Sequence, residues 1–481
     1  MTHLSKMIFK YFLSAVLVLF ITANSQTNAQ SVNINSNNGK TKVHVKNGAL
    51  NSFSLEFEGE ITLSDDDKDI IAISKGGFFE LKKSAFGSRR RVFIEPDGSG
   101  KLIKKYYIGS KDKGFEPEGR KWLAEILPEV VRSSTIGAKQ RVDRFYKRGG
   151  ANAVLTEVKK IDSDYVKTHY LKLLLDKNIS TASLKSLLEF AGNEINSDHH
   201  KAQLLKYKQA DFFASQDLTS SYINAAGKIN SDHHKAQVLK QAINDGKISD
   251  KQMEVLFQIT NKINSDHHKA NVLKEVMENR ALNETNINLL LETSKRINSD
   301  HHKAQVLTKA LSIQGISEKN YNVFLESVSN INSSHHQANV FSGLLNKKLD
   351  NNSLSKLLKL AGDNIDSDNH KANVLKKAIQ KQRLESTDID IFLNAISEIE
   401  SDFHIADVMK ALSKEQLSND QLIKVLKTTA TIKSDFHLAQ SLMAFSSKVK
   451  AGNSNLKDAY RSACKNISSS SHYGSAIRAI E

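Results

Sequence analysis

An isoleucine followed two residues later by serine recurs at Ile161, Ile195, Ile229, Ile263, Ile297, Ile331, Ile365 and Ile399, each 34 residues after the last, with further copies at Ile432 and Ile467 spaced 33 and 35. A chain that repeats itself at this interval cannot build one central core. Each copy is a small supersecondary unit whose apolar face is buried only by stacking on its neighbours. About ten copies fill the region from residue 151 to 481. In the copy at Ile229, SDHHKAQVLKQAIN reads as one helix, NDGKIS as a turn and SDKQMEVLFQITNK as a second helix. Met253, Leu256, Ile259 and Ile263 give the second helix an apolar stripe at three- and four-residue steps. No strand pattern intervenes, so the expected fold is mainly α: a right-handed α-solenoid of two-helix repeats.

Serine holds the third motif position in every copy: Ser163, Ser197, Ser231, Ser265, Ser299, Ser333, Ser367, Ser401, Ser434 and Ser469. A hydroxyl just ahead of an apolar-periodic run accepts a hydrogen bond from an otherwise unpaired backbone N–H, so these serines are expected to cap the first helix of each unit. Aspartate follows except at Ser334 and Ser470, and is expected to meet the positive end of that helix's dipole.

The histidines fall into two classes when the helix is turned by about 100° per residue. The sixth position (His200, His234, His268, His302, His336, His370, His404, His437, His472) lies four residues before an apolar residue, and is expected at the core edge. The fifth position holds His199, His233, His267, His301 and His335, and elsewhere Tyr165, Asn369, Phe403, Phe436 and Ser471. Such tolerance suits an exposed position. These five histidines, with nearby Lys201, Lys235, Lys269 and Lys303, are the candidate partner-binding residues.

Adjacent helical residues diverge, and equivalent histidines of stacked units should stand about 8–10 Å apart, too far for one zinc ion with ligand bonds of about 2 Å. No metal site is therefore expected, and no cofactor. No H-E-x-x-H helix, G-x-S-x-G elbow, P-loop or dinucleotide fingerprint occurs, and an active site needs one asymmetric constellation rather than many equal ones. The single cysteine, Cys464, reads as a buried, inert thiol. Fifteen of the 17 histidines lie in the array, so acidification is expected to weaken unit packing if the sixth-position rings are buried and neutral.

Ahead of the array, Lys6 and Lys10 precede the apolar run from Tyr11 to Ile21, and small and polar residues follow to Ala29. That order predicts a secretory signal peptide over residues 1–29 and an exported chain, periplasmic or extracellular, with no membrane span in its mature form. Residues 30–50, rich in Asn, Ser, Gly and Lys, read as a flexible leader. Alternating apolar residues and regular turn signals over 51–114 predict an antiparallel β-meander of about five strands. Residues 115–150 read as a helical connector: Pro117 opens it, Trp122, Ile126 and Val130 share a face, Pro128 kinks or divides it, and Gly149-Gly150 ends it. The formal net charge of +15 would suggest nucleic acid in a cytosolic chain. Outside the cell it points instead to a protein or an anionic envelope polymer.

The module KGGFFELKK, RRRVFIEPDGSGKLIKKYYI, GFEPEGRKWLAEILPEVVR and AKQRVDRFYKRGGANAVLTEVKKIDSDYVKTHYL, followed by I-x-S-D-x-x-K-A-x-V-L units, resembles the C-terminal region of bacterial sensor proteins of the beta-lactam-receptor metallopeptidase type. Similar proteins consist of the module alone. The resemblance covers about residues 50–481, and Phe115 to Leu171 is its most specific part. It implies an exported helical-repeat module of uncharacterised function. It implies no protease activity, because the metallopeptidase domain is not in this sequence. The reading from sequence is thus a non-enzymatic, exported binding scaffold, with a histidine-based metal- or pH-responsive sensor or storage protein as the alternative.

Overall fold

The computed structural model describes residues 31–37, 40–47, 51–85, 87–313, 316–384 and 386–481. The expected signal peptide lies outside the described residues. The chain divides into two compact units, Met1–Gln209 and Ala210–Glu481.

The first unit opens with nine strands: β1 (Ser31–Asn37), β2 (Lys40–Asn47), β3 (Asn51–Glu58), β4 (Ile61–Leu63), β5 (Ile70–Ile73), β6 (Phe78–Ala85), β7 (Ser88–Pro96), β8 (Leu102–Ile108) and β9 (Lys111–Asp112). Seven form one antiparallel sheet in the order β1-β2-β3-β6-β7-β8-β9, and β4 and β5 make a separate hairpin. The flexible leader expected over 30–50 is therefore corrected. Val43 and Val45 of β2 point into the core, and Val43 pairs with Leu55 of β3. The same buried row continues from Leu55 to Leu81, to Val92 and to Tyr106. Helix α1 (Glu118–Ser133) covers this face with Trp122, Leu123, Ile126, Leu127, Val130 and Val131. It runs through Pro128 as one helix. Along α2 (Ala138–Val158) the helical backbone ends at Gly149-Gly150 as expected, both residues being non-helical with Gly150 at φ 64°, and a second helical segment follows directly to Val158. Only glycine adopts that backbone readily.

No unit boundary falls near residue 150, and a buried charge network within the first unit shows why. Arg141 of α2 is 1 % exposed. Its Nε donates to Asp67 Oδ2 at 3.0 Å, its Nη1 to the Tyr170 hydroxyl at 2.5 Å and its Nη2 to Glu157 Oε1 at 2.7 Å. Arg144 donates to the other Asp67 oxygen at 2.5 Å and to the Ser64 carbonyl at 3.0 Å. Gln140 exchanges two bonds with the backbone of Leu63. One guanidinium thus ties the turn between β4 and β5 to α2 and to α3 (Asp164–Leu175), the first helix of the array.

In the second unit, first helices at 232–245, 266–279, 300–313, 334–344, 368–381, 402–412, 435–444 and 470–478 alternate with second helices. Each first helix packs on the next first helix, and second helices stack likewise, from 250–261 through 284–295, 318–329, 351–364, 386–397, 419–429 to 454–464. The leading isoleucines Ile229, Ile263, Ile297, Ile331, Ile365, Ile399, Ile432 and Ile467 are all buried. Each fully buried side chain of this size stabilises the fold by about 1.5–3 kcal/mol. Among the described residues no helix is long and apolar enough to cross a membrane.

Replacing Arg141 with alanine removes three hydrogen bonds from a buried network in which Arg144 still holds Asp67 and Arg132 still holds Glu157, and is expected to cost about 2–3 kcal/mol in chemical denaturation. Replacing the exposed Arg90 should change stability by about 0.5 kcal/mol or less.

Candidate functional site

The motif surrounds the short link that carries the chain from one repeat's second helix into the next repeat's first helix. In the copy at Ile263, Asp266 Oδ2 accepts the backbone N–H groups of Asn298 and Ser299 at 3.1 and 2.7 Å, residues of the following copy. Asp164, Asp232, Asp300, Asp368, Asp402 and Asp435 accept the equivalent serine N–H at 2.6 to 2.8 Å. Where serine replaces the aspartate, Ser334 Oγ takes the same two donors, Asp366 and Ser367, at 3.2 and 3.3 Å. The aspartate lies in the first turn of its own helix, as read from sequence, but its short bonds go to the next copy.

The seventh-position lysine holds the other side of the same link. Lys167, Lys269, Lys303 and Lys371 donate from Nζ to the carbonyls of Glu194, Arg296, Asn330 and Glu398 at 2.6 to 2.8 Å, each at the end of its repeat's second helix. An ammonium there also meets the negative end of the helix dipole. Lys201, Lys235, Lys269 and Lys303 are 4 %, 5 %, 5 % and 4 % exposed. Their expected role as surface contacts is therefore corrected: the side chains run inward. Burial pushes the Lys269 and Lys303 ammonium groups down from the usual lysine range, with nearby aspartates opposing. The position was readable. It stands four residues before a buried leucine in each of these copies, and Ile405 and Leu438 occupy it elsewhere.

The serines sit at N-cap geometry in every described case. Ser163, Ser197, Ser231, Ser265, Ser299, Ser333, Ser434 and Ser469 accept the N–H three residues on at 3.4 to 3.5 Å. Ser367 and Ser401 keep the backbone conformation without that bond. These cap bonds are longer than the aspartate bonds and contribute less.

The fifth position is exposed in all ten copies, and the sixth is half-buried wherever it is histidine. What sequence reasoning missed is that the two classes interlock. In the second unit the His233 ring lies 5.3 Å from His234 of its own copy and 5.4 Å from His268 of the next, centroid to centroid. His267 stands 5.3 and 5.5 Å from His268 and His302. His301 repeats the pattern with His302 and His336, and His335 with His336 and His370. Nine imidazoles, from His233 to His370, thus form one unbroken row of edge-to-face or tilted ring contacts. Asn369 interrupts it. The row resumes with Phe403 against His404 and His437, and Phe436 against His437 and His472. In the first unit Tyr165 and His199 both meet His200. Phe403 and Phe436 are 58 % and 48 % exposed.

Each fifth-position histidine presents Nε2 to an amide four residues on: His199 to Gln203, His233 to Gln237, His267 to Asn271, His301 to Gln305 and His335 to Asn339, at 2.9 to 3.0 Å. Which partner donates in each of these bonds is set by the tautomer of the ring and the orientation of the amide. Where Asn369 leaves out its ring, a cavity of about 700 Å³ opens, lined by Asp363, Asp366, Asp368, Glu398, Glu400 and His404 among others. Among the described residues no group of three or more His, Cys, Asp or Glu side chains is arranged to hold a metal ion. Cys464 is fully buried, and burial pushes its thiol up to about 11.

No protein-family model matches the chain, and no curated protein matches it.

Burial, and then the neighbouring imidazole, hold His200 and His268 below the ordinary histidine range, with Asp164 and Asp232 partly opposing. The unfolded chain binds these protons at about pH 6.5 and the folded chain only at lower pH. Their contribution to stability is therefore complete above that value and lost as the pH falls. The melting temperature is expected to decline between about pH 7.5 and 5, and to decline less in the double variant His200→Asn/His268→Asn. A wild-type melting temperature that stays flat over that range contradicts this.

Proposed function

We propose that this protein is an exported, non-enzymatic binding scaffold. In this reading the helical run is a right-handed α-solenoid with a period of 34 residues, related to the repeat modules of the sensor proteins that the sequence resembles. It engages a protein or an envelope polymer through the fifth-position row. The observation that carries the reading is the row itself: exposed rings at equivalent places in successive copies, in contact from His233 to His370 and again from Phe403 to His472, on a backbone whose other motif residues are occupied with structure. Equivalent weak contacts along such a row act together when one partner spans several of them, which raises the overall affinity without any strong single site.

A second reading, a histidine-based sensor or storage protein responding to pH or metal, is favoured on its pH side by the nine-imidazole row.

The test uses the exported chain as bait at neutral pH against envelope extract and growth medium of its own source. It is compared with a variant carrying serine, the residue at position 471, in place of His267, His301, His335, Phe403 and Phe436. The wild type is expected to retain a component that the variant retains about tenfold less, with unchanged melting temperature. Equal capture by both, or capture of nothing by either, removes the row as the binding surface.

A further inference from the structure

Resting on the scaffold reading, we propose that the histidine part of the row, His233 to His370, binds a carboxylated polysaccharide chain, and binds it more tightly as the rings take up protons.

The geometry requires a partner with its own regular repeat. Equivalent rings recur at the spacing of stacked helices, about 8–10 Å. A linear polymer meets each of them in the same way, whereas a folded protein surface does not. The row offers three chemistries side by side. The exposed ring can stack on the C–H face of a sugar. The amides of Gln237, Asn271, Gln305 and Asn339 stand beside the rings to meet hydroxyls. The imidazole itself can carry positive charge in the mildly acidic range.

Protonation fits locally but lacks a counter-charge. A protonated Nε2 keeps its partner, because an amide turned by 180° presents its oxygen instead of its nitrogen. Each exposed ring, however, stands 5.3 to 5.5 Å from a sixth-position imidazole on either side. The charged groups packed around the row are already engaged. Asp232, Asp266 and Asp300 accept backbone N–H groups of the following copy. Asp232 also acts on the half-buried His268. On the same helices Lys240 pairs with Glu275 at 2.6 Å, Lys309 pairs with Glu278, and Lys274 donates to Gln305 Oε1 at 3.3 Å. Lys269 and Lys303 are buried against carbonyls. Charge placed on the exposed rings is therefore neutralised best by an external anion that spans several of them. By linkage, acid then raises the affinity for that anion as much as the anion raises the affinity for protons.

The probe is polygalacturonate, with pullulan as the uncharged polysaccharide and poly-L-glutamate as the anionic polypeptide, each titrated into the exported chain at about pH 7.5 and about pH 6. Polygalacturonate affinity is expected to rise about tenfold on acidification, with net proton uptake in buffers of different ionisation heat. Pullulan should show no gain and poly-L-glutamate a smaller one. The variant His233→Gln/His267→Gln/His301→Gln/His335→Gln should lose the gain. Affinity independent of pH, binding without proton uptake by the wild type, a gain that survives in the variant, or equal binding of poly-L-glutamate each overturns the inference. If polygalacturonate fails while the row still captures a component at neutral pH, this inference falls and the scaffold reading stands; failure of both removes both.

Discussion

The array depends on one contact: a carboxylate of one repeat accepting the backbone N–H groups that open the first helix of the next. The link between repeats is short and half-buried, and its donors have no partner in their own helix. The aspartate supplies that partner from the neighbouring copy with bonds of 2.6 to 2.8 Å. A charge-assisted bond of this kind contributes about 1.5–3 kcal/mol. The serine caps of the same helix starts, at 3.4 to 3.5 Å, are weaker. Ser334 makes the role plain, since a hydroxyl in the aspartate's place keeps the same two donors at longer range. With the lysine on the carbonyl side, Asp266 and Lys269 hold Arg296, Asn298 and Ser299 from two directions. The recurring S-D-x-x-K pattern is thus a clamp on a link.

The ring row follows from the clamp. Once the start of each first helix is fixed against its predecessor, the fifth-position side chain of one copy falls between the sixth-position rings of two. The row does not need histidine at every step, because Phe403 and Phe436 occupy the same place with the same edge-to-face geometry. It does need a ring, and Asn369 breaks it beside an acidic cavity. The exposed position carries His, Tyr, Asn, Phe or Ser, while the serine cap is kept in every copy and the aspartate in all but two. A scaffold that adjusts its contacts without disturbing its stacking has this division.

Much of this was legible in the sequence. The helical run, the caps and the exposure of the fifth position all follow from spacing and residue type. The lysines were misread because their chemistry suggests surface, although Lys303 stands four residues before the buried Leu307, on the same side of its helix. Val43 and Val45 alternate with Lys42, His44 and Lys46 as a half-buried strand does, but the Asn- and Ser-rich surroundings masked them. The contact between His233 and His268 and the bond from Asp266 to Ser299 could not be read at all. They depend on the offset between neighbouring helices, which packing sets and local sequence does not encode. The Arg141 network was hidden for a similar reason, since Asp67 and Arg141 stand 74 positions apart.

The most direct test of the clamp is amide hydrogen exchange, resolved by residue, in the wild type and in Asp266→Ala. The clamp predicts that exchange accelerates at Asn298 and Ser299, the opening of the following repeat, while the start of the aspartate's own helix around His268 stays protected. Acceleration confined to His268 and its neighbours, with Asn298 and Ser299 unchanged, would contradict it and return the aspartate to the role of a partner for its own helix dipole.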